Sequence, residues 1–446
     1  MAEILGKRVD LRLLWWQQVQ RCHVPGLPLL PFLHFPLSVV IEKFFFSLTM
    51  QASRGGLRLA QRWASTNSTA SKASPTTKGP KTESIAEFVN SRAERYEFKD
   101  VLRSCHQVYD TEPFRWTWGE LQRWRDCAGR GYTDISITPK KPFVNALGND
   151  AEQIVTDLAL GRIGAISVPL SPFFTNEEFA NAVDATKPTS CLVINKYGNH
   201  SVTKRLREFI PELGLRQEGE SLDIARFRSL QHMVTTSKDK NLGFLLLKQL
   251  MWVNAYDCPL TACKPTADDT IYLFPTGATG SLDMYGYTQG NVTDTGKSLA
   301  NSFGFVPEDR VCMNLPLWTL SGKTAGLYSV LANASALILP GQVFNAEHTL
   351  SIIEQEMCSV LMVTSDQLQQ VVDAANLGSV DLSSLDKIVV VDEGSRPSAS
   401  LLERAKTALR VGSIHVGVSS AGTAGAFLVS DQSDPSRLVA APHAKV

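Results

Sequence analysis

The chain has 446 residues, 43% of them hydrophobic, which is enough for a large core and excludes a disordered or fibrous protein. Its 44 basic residues equal its 44 acidic residues, and no basic stripe interleaved with aromatic residues occurs, so we expect no direct binding of nucleic acid. The eight cysteines are scattered, with only Cys258 and Cys263 close together, which predicts reduced core thiols and no zinc site.

The first 49 residues differ in composition from the rest of the chain. Residues 26–41 are apolar, but this run has only 16 residues and contains three prolines, whereas a bilayer span needs about 20 helical residues. We therefore expect no transmembrane span. The Phe, Leu, Pro and Ser bias of residues 1–49 is typical of a translated pyrimidine-rich leader, so we interpret them as an over-extended gene model or a disordered leader, with Met50 as the start.

A basic, hydroxyl-rich segment follows Met50. It reads MQASRGGLRLAQRWASTNSTASKASPTTKGPK and contains no acidic residue. Three arginines follow one another at intervals of four residues: Arg54, Arg58 and Arg62. This composition predicts a mitochondrial presequence over residues 50–64, a flexible linker over 65–81, and a location in the mitochondrial matrix. A disordered basic tail is the alternative.

From about Ser84 onward, strand-like and helix-like patterns alternate. The predicted strands cover 143–147, 165–169, 190–194, 311–313, 336–339, 360–363 and 387–391, and the predicted helices cover 151–160 and 176–185. The first helix lies between the first two strands, which predicts a βαβ unit. The whole pattern predicts a layered α/β domain with mixed or parallel sheets.

A turn rich in hydroxyl and glycine residues occurs within YLFPTGATGSLDMYGYTQGN, residues 272–291. After the apolar run 272–274 come Thr276, Gly277, Ala278, Thr279 and Gly280. Such a turn after a strand can wrap its backbone around a phosphate. However, the next ionisable side chain is that of Asp283, which has the wrong sign for a phosphate. The residues alone leave open a nucleotide loop, a degenerate one, or a turn whose glycines serve only a positive φ.

Five segments between Ser84 and Gly425 resemble, in order, motifs of the adenylate-forming (AMP-binding) superfamily, in particular its acyl-CoA synthetase branch. LGNDAEQIVTDLALGRIGAISVPLSPFFTNEEF is similar to the opening region, and FPTGATGSLDMYGYTQGN to the phosphate loop TSGTTGxPKGxxxTHxN. NLPLWTLSGKTAGLYSVL is similar to the PLxH segment, EGSRPSASLLERA to GxPxxPEL, and IHVGVSSAG to YGxTE. The resemblance implies the large α/β domain of an acyl-CoA synthetase.

The resemblance also implies a role for individual residues. Nucleotide-binding positions of the family fall on Thr276, Gly277, Ala278, Thr279, Gly280, Gly394, Ser395 and Gly417. Three further positions depart from the family. Asp283 stands where Pro-Lys-Gly supplies a cation, Thr319 stands at the histidine of PLxH, and Ser420 stands at the glutamate of YGxTE, a magnesium ligand.

These departures weaken the implied nucleotide site. With unit charges about 5 Å apart and an effective dielectric near 20, an anion at Asp283 repels a phosphate by roughly 3 kcal/mol. The family also has a small C-terminal domain with a catalytic lysine after YGxTE, and we expect that domain to be missing from a truncated domain spanning 82–446. We therefore expect no catalytic residue, no metal and no cofactor, with weak binding of ATP or AMP and magnesium as the alternative.

Three functions are compatible with these features. The first is a catalytically inactive acyl-CoA synthetase-like subunit, structural or for assembly, in a complex with other mitochondrial proteins. The second is a module that binds an acyl group or a nucleotide without turnover. The third is an ATP-dependent acyl-CoA ligase that another chain completes.

Overall fold

The structure is a computed structural model that describes residues 82–105, 114–197, 200–217, 220–253, 260, 264–276, 283–374, 377–394, 396–419, 427–430 and 438–440. The predicted leader, presequence and linker lie outside the described residues, as do residues 277–280, Ser395 and Ser420. None of the helices in the described ranges combines the length and the apolar character that a membrane crossing requires.

The described residues contain eighteen strands in two large sheets and one short hairpin. In chain order they are β1 (Asp100–Ser104), β2 (Phe114–Thr117), β3 (Pro142–Ala146), β4 (Ile166–Pro169), β5 (Ser190–Val193), β6 (Lys196–Tyr197), β7 (His200–Ser201), β8 (His232–Thr235), β9 (Leu245–Leu246), β10 (Thr270–Thr276), β11 (Asp283–Thr288), β12 (Arg310–Met313), β13 (Ala336–Leu339), β14 (Val360–Val363), β15 (Lys387–Glu393), β16 (Ser413–Ser419), β17 (Phe427–Ser430) and β18 (Leu438–Ala440).

Helices alternate with these strands through most of the described chain. They are α1 (Ile85–Tyr96), α2 (Trp118–Asp134), α3 (Ala151–Ile163), α4 (Asn176–Thr186), α5 (Val202–Phe209), α6 (Leu247–Val253), α7 (Gln289–Ser302), α8 (Ser329–Ala332), α9 (Ala346–Gln355), α10 (Ser365–Val372) and α11 (Ala399–Leu409). Two 3₁₀ turns cover Pro211–Leu215 and Leu377–Ser379, and a π-helical segment covers Gly322–Tyr328.

The larger sheet has nine strands in the order β18-β17-β16-β15-β14-β12-β13-β1-β2. Its six central strands, from β16 to β1, are parallel, whereas β2, β17 and β18 pair antiparallel at the two edges. Because parallel strands point the same way, the segments that follow β12, β15 and β16 lie at one edge of this sheet.

The second large sheet has seven strands in the order β11-β10-β4-β3-β5-β8-β9. Its strands are parallel except for β11, which pairs antiparallel with β10. The β3-α3-β4 unit confirms the predicted βαβ motif, and β13 and β14 have the predicted bounds. The predicted architecture of layered α/β with mixed sheets is confirmed.

Helix starts follow the capping chemistry of the sequence. Ser84, Thr117 and Thr175 each accept, at the side-chain oxygen, a hydrogen bond from the backbone N–H of a glutamate three residues later. The carboxylate of that glutamate accepts a hydrogen bond from the backbone N–H of the cap residue. This reciprocal arrangement satisfies amide groups that have no partner within the helix. It fixes the beginnings of α1, α2 and α4.

Helix α3 lies at the centre of the fold. Eleven of its thirteen residues are buried, so it is covered on all sides, as an apolar helix between layers is expected to be. One of these buried residues is charged: Asp157 is fully buried. The described cysteines match the predicted thiols, since five are free and four of those are buried.

Candidate functional site at the strand ends

Among the sequence-predicted positions that the structure describes, Thr276, Asp283 and Gly417 lie within β10, β11 and β16. Thr319 and Gly394 follow β12 and β15, at the carboxyl ends of the parallel strands. Ligands of open α/β sheets generally bind at this edge of a parallel sheet. We call this group the strand-end site. It comprises Thr319, Ser321, Glu393, Gly394 and Ser419.

Thr319, at the position of the family's histidine, is engaged in a local turn. Its Oγ1 donates to the carbonyl oxygen of Pro316 at 2.8 Å and accepts from the backbone N–H of Gly322 at 3.0 Å. A Cβ on Gly322 would overlap the Pro316 carbonyl, so this turn needs a glycine at that position. The hydroxyl therefore organises the entrance to the π-helical segment.

Ser321 connects this turn to the end of β15. Its Oγ donates to Oε1 of Glu393 at 2.9 Å. Glu393 is paired with Ser419 in the β15–β16 ladder, and the N–H of Gly394 donates to the carbonyl of Ser419 at 2.8 Å. The turn after β12 and the ends of β15 and β16 thus form one hydrogen-bonded group.

The two described glycines of the predicted nucleotide site have different structural explanations. Gly394 has a φ of 80°, a left-handed conformation that favours glycine, and a Cβ there would meet no atom within 4 Å. Gly417 lies within β16, where a Cβ would come 3.2 Å from the ring of Phe303. Packing thus favours glycine at 417, and backbone conformation favours it at 394.

The candidate phosphate turn connects β10 and β11. Thr276, the last residue of β10, pairs directly with Asp283, the first residue of β11, and residues 277–282 between them lie outside the described residues. Asp283 therefore stands on a strand at the base of this turn. Burial raises the pKa of Tyr287 on β11, and the neighbouring Tyr285 side chain and the carboxylate of Glu393 raise it further.

Asn149, which follows β3, holds the segment after β12 in place. This buried side chain donates through Nδ2 to the carbonyl of Leu315 at 3.0 Å and accepts through Oδ1 from the N–H of Leu317 at 2.9 Å. One side chain thus joins a loop of the seven-stranded sheet to the strand-end segment of the nine-stranded sheet.

A buried ion pair lies behind this segment. Lys323, in the π-helical segment, pairs with Asp157 of α3, and both side chains are fully buried. Asp157 also accepts from Oγ of Ser167 at 2.9 Å and from Nδ2 of Asn145 at 3.3 Å. Burial lowers the pKa of Lys323, while the Asp157 carboxylate opposes that shift. We call these four residues, together with Tyr272 and Tyr328, the buried polar centre.

Two tyrosines complete this centre. The hydroxyl groups of Tyr272 and Tyr328 lie 3.1 Å apart, and Nζ of Lys323 is 5.6 Å from the centroid of the Tyr272 ring. Burial, and then the charge of Asp157, raise the pKa of both tyrosines, so both remain neutral donors. The centre connects α3, β10 and the π-helical segment.

An aromatic cluster flanks Thr319. The ring of Phe173 meets that of Trp318 edge to face at 5.8 Å between centroids and that of Tyr197 at 4.5 Å. Phe173 is 44% exposed, so one side of the cluster faces solvent. Such a surface can contact an apolar acyl or aryl group.

Sequence reasoning did not identify the polar residues that organise this region: Asn149, Asp157, Lys323 and Glu393. One signal was present, because Asp157 interrupts the apolar stretch IVTDLALG of α3 and Lys323 interrupts the small, apolar run SGKTAGLYSVL. A single charge in such a run indicates a buried partner. Within the described residues, no group of three or more His, Cys, Asp and Glu side chains could hold a metal ion.

The chain matches the AMP-binding enzyme family over residues 90–442. It is 23% identical to the acyl-CoA ligase SID4 of Ajellomyces capsulatus over 277 residues, which cover 61% of this chain and 45% of the relative. It is 23% identical to the mitochondrial medium-chain acyl-CoA ligase ACSF2 of Bos taurus over 327 residues, which cover 71% and 52%. The chain thus spans about half the length of the curated relatives it matches.

Solved structures show the same fold. The anthranilate CoA ligase AuaEII, in complex with anthranoyl-AMP, superposes with a TM-score of 0.68 at 16% identity, covering 80% of this chain and 63% of that protein. The long-chain-fatty-acid-CoA ligase FadD1 of Archaeoglobus fulgidus gives a TM-score of 0.66 at 16% identity, covering 82% and 70%.

Proposed function

Because the chain belongs to the AMP-binding enzyme family, we propose that it is an acyl-CoA synthetase-like protein that does not catalyse adenylation and acts as a structural or assembly subunit of a mitochondrial complex. The observation that supports this proposal best is the pairing of Thr276 with Asp283. Residue 283, an aspartate, is the first residue of the strand that follows the turn assigned to the phosphate loop by the resemblance. An anion at that place repels a triphosphate.

Two further features of the described residues support the absence of catalysis. Glu393 adds a second negative charge near β11, and the nearby cation of Lys323 is fully buried and paired with Asp157. Adenylation depends on charge stabilisation of the α-phosphate by positioned cations. These residues do not fit a bound triphosphate, so we propose that the protein uses no nucleotide cofactor; weak binding of ATP or AMP with magnesium is the alternative.

The mitochondrial part of the proposal rests on the basic segment after Met50 and on one relative. The bovine relative is described as mitochondrial, and a presequence over 50–64 would direct this chain to the matrix. Other mitochondrial proteins are then its expected partners. Native purification from mitochondria should recover the chain in a complex of fixed stoichiometry. Recovery as a free monomer would contradict the subunit role.

Pyrophosphate exchange on the purified full-length chain tests the absence of catalysis. We expect no ATP-dependent exchange above background with short-, medium- or long-chain fatty acids or with aryl acids. Clear exchange with any of them would contradict the proposal and favour an active ligase, acting alone or completed by another chain.

A repair experiment tests the electrostatic argument. Asp283→Lys combined with Ser420→Glu should bind ATP more tightly than the parent in calorimetry, since removal of the anion relieves roughly 3 kcal/mol of repulsion. It should still form no acyl-CoA, because catalytic groups act as a unit and Thr319 remains in the histidine position. Turnover by this variant would show that the proposed inactivity has only these two causes.

A second candidate function is a module that binds an acyl group without turnover. The exposed aromatic cluster beside Thr319 favours it. A ligand at 100 times its dissociation constant stabilises a protein by about 2.7 kcal/mol, so a thermal-shift screen with acyl-CoA, fatty acids and AMP detects such binding. Trp318→Ala should abolish an acyl-dependent shift. The absence of any shift in the parent would eliminate this candidate.

A further inference from the structure

A second site, independent of the proposed function, lies at the carboxyl ends of strands in the seven-stranded sheet. It is a cavity of about 240 Å³ between β2, α2 and α6, closed on one side by the segment after β8 and by the first turn of α3. We call it the tryptophan cavity. Its principal lining residues are Trp116, Trp124, Trp252, Lys238, Lys248 and Glu152.

Three tryptophans from three different elements form a continuous aromatic wall. The rings of Trp116 and Trp124 lie 6.1 Å apart between centroids with an interplanar angle of 30°, and those of Trp124 and Trp252 lie 6.1 Å apart at 43°. Trp252 is 45% exposed, so the wall extends to solvent at the mouth. Indole faces at this spacing can stack a planar ring or cover an apolar chain.

Two lysines stand at the mouth of the cavity. Nζ of Lys248 is 5.5 Å from the centroid of the Trp252 ring. Burial, and then the charge of Lys238, lower the pKa of Lys248, which indicates that the two ammonium groups repel each other. Among the described acidic side chains, none forms an ion pair with either lysine. An anion bound between them would relieve this repulsion.

Glu152 adds a carboxylate, opposite in charge to the two lysines, to the lining of the cavity. It lies in the first turn of α3 and lines the same cavity, so its carboxylate can accept a hydrogen bond from an amino group or a ring N–H of a ligand. The cavity thus combines an aromatic wall, a cationic mouth and an acceptor. Its volume is below the about 300–1,000 Å³ of typical ligand pockets, which favours a molecule of one or two rings.

We propose that the tryptophan cavity binds a small planar amino-aromatic anion, with its ring on the tryptophan wall, its amino group at Glu152 and its negative group at Lys238 and Lys248. Two sources share this chemistry: a free amino-aromatic carboxylate, and an aminopurine nucleotide whose base enters the cavity. An acyl ligand at the aromatic cluster beside Thr319 would differ from this occupant both in place and in charge.

Calorimetry on the full-length protein tests this proposal with four probes. We expect binding of 4-aminobenzoate, AMP or both, and markedly weaker binding of benzoate, which lacks the amino group, and of adenosine, which lacks the anion. Preference for 4-aminobenzoate identifies the free carboxylate as the source, and preference for AMP identifies the nucleotide. Equal binding of probes with and without the anionic group contradicts the proposal, as does no binding of any probe.

Variants test whether the probes bind in this cavity. Trp252→Ala should weaken binding by about 5- to 100-fold, and Trp252→Phe should restore most of it, because a stacked ring is retained. Lys238→Glu with Lys248→Glu should weaken binding by about tenfold or more and remove most of its dependence on salt. The matched control is Lys140→Glu with Lys141→Glu, two exposed lysines outside the cavity, and it should leave the affinity unchanged.

The variants also separate the two sites. Trp318→Ala, in the strand-end aromatic cluster, should not change binding of these probes. Thermal melts without ligand establish that each variant is folded. If Trp318→Ala abolishes binding while folded Trp252→Ala preserves it, the probes occupy the strand-end site and the tryptophan cavity is not a ligand site.

Discussion

The buried polar centre and the strand-end site share the stretch of chain from Thr319 to Lys323 and use polar residues in opposite ways. In the centre, the charges of Asp157 and Lys323 are fully buried and neutralise each other. At the strand ends, Glu393 is held by one neutral hydroxyl group, that of Ser321. The fold therefore pairs its buried cation and leaves the Glu393 carboxylate exposed at the strand ends. This contrast teaches that one fold can hold a buried charge by an ion pair and an exposed charge by a single hydrogen bond and solvent.

The largest loss of stability is expected when the buried ion pair is broken. Asp157→Ala should lower the free energy of unfolding by about 3–5 kcal/mol, because it leaves Lys323 charged, buried and unpaired. The matched control is Asp184→Ala, which breaks an exposed pair with Lys187 and should cost less than about 1 kcal/mol. Urea denaturation measures both. Equal losses would contradict the architectural role of the centre.

A double replacement sharpens that result. Asp157→Leu with Lys323→Met removes both charges and should be markedly more stable than Asp157→Ala alone, since apolar residues of similar size often replace a buried pair at little cost. The two tyrosine hydroxyls would still bond to each other. If the double variant is as unstable as Asp157→Ala, the hydrogen bonds from Asn145 and Ser167 contribute more to the free energy of unfolding than the charges do.

The hydrogen bonds of Asn149 connect the two regions, and their removal should have the next largest effect on stability. Asn149→Ala removes the partners of the Leu315 carbonyl and the Leu317 N–H, and leaving such buried groups unsatisfied should cost about 1–3 kcal/mol. Hydrogen exchange of the Leu317 amide should accelerate in the same variant. Stability within error of the parent, with unchanged exchange, would show that water replaces the side chain fully.

A smaller effect is expected at the strand ends. Ser321→Ala removes the hydrogen bond to Glu393, which should cost about 0.5–1.5 kcal/mol. Because Glu393 is exposed, solvent can take over the lost bond, so the cost should fall at the lower end of this range. Chemical denaturation measures the difference. A loss as large as that of Asp157→Ala would remove the distinction between the two regions.

The smallest predicted effect is a pH dependence in β16. Burial, and then the charge of Lys387, lower the pKa of His415, so the unfolded chain takes up this proton before the folded one. Stability should therefore fall as the pH drops below the unfolded value of about 6.5. His415→Asn should flatten part of this fall in melting temperatures recorded from about pH 7.5 to about pH 5.5. An unchanged slope would show that other groups, such as His232, dominate.

Much of the fold could be predicted because it depends on local patterns. The strands at 336–339 and 360–363 match β13 and β14, since short apolar runs in an α/β chain become buried parallel strands. The start of α4 follows from Thr175 and Glu178, which form a capping box within four residues. Such signals need no knowledge of the rest of the chain.

The site was predictable only in part, because its contacts are long-range. Asp157 and Lys323 lie 166 residues apart in sequence, and Asn149 and Leu317 lie 168 apart, so no local pattern pairs them. The resemblance located Thr319, Gly394 and Gly417, of which the first two lie in the strand-end site and the third lies within β16. The nucleotide-binding role assigned to Thr276, Gly394 and Gly417 stays a prediction, as do the roles of 277–280, Ser395 and Ser420.

The position of β1 has a consequence for synthesis of the protein. On one side β1 pairs with β2, close by in the chain, but on the other it pairs with β13, whose Leu337 is aligned with Leu102. At about 5–20 residues per second, a ribosome needs roughly 10–50 s to make the intervening chain. During that time the backbone groups of β1 that pair with β13 have no native partner, and exposed strand edges promote aggregation. The native pairing of β1 is therefore complete only after β13 has been made.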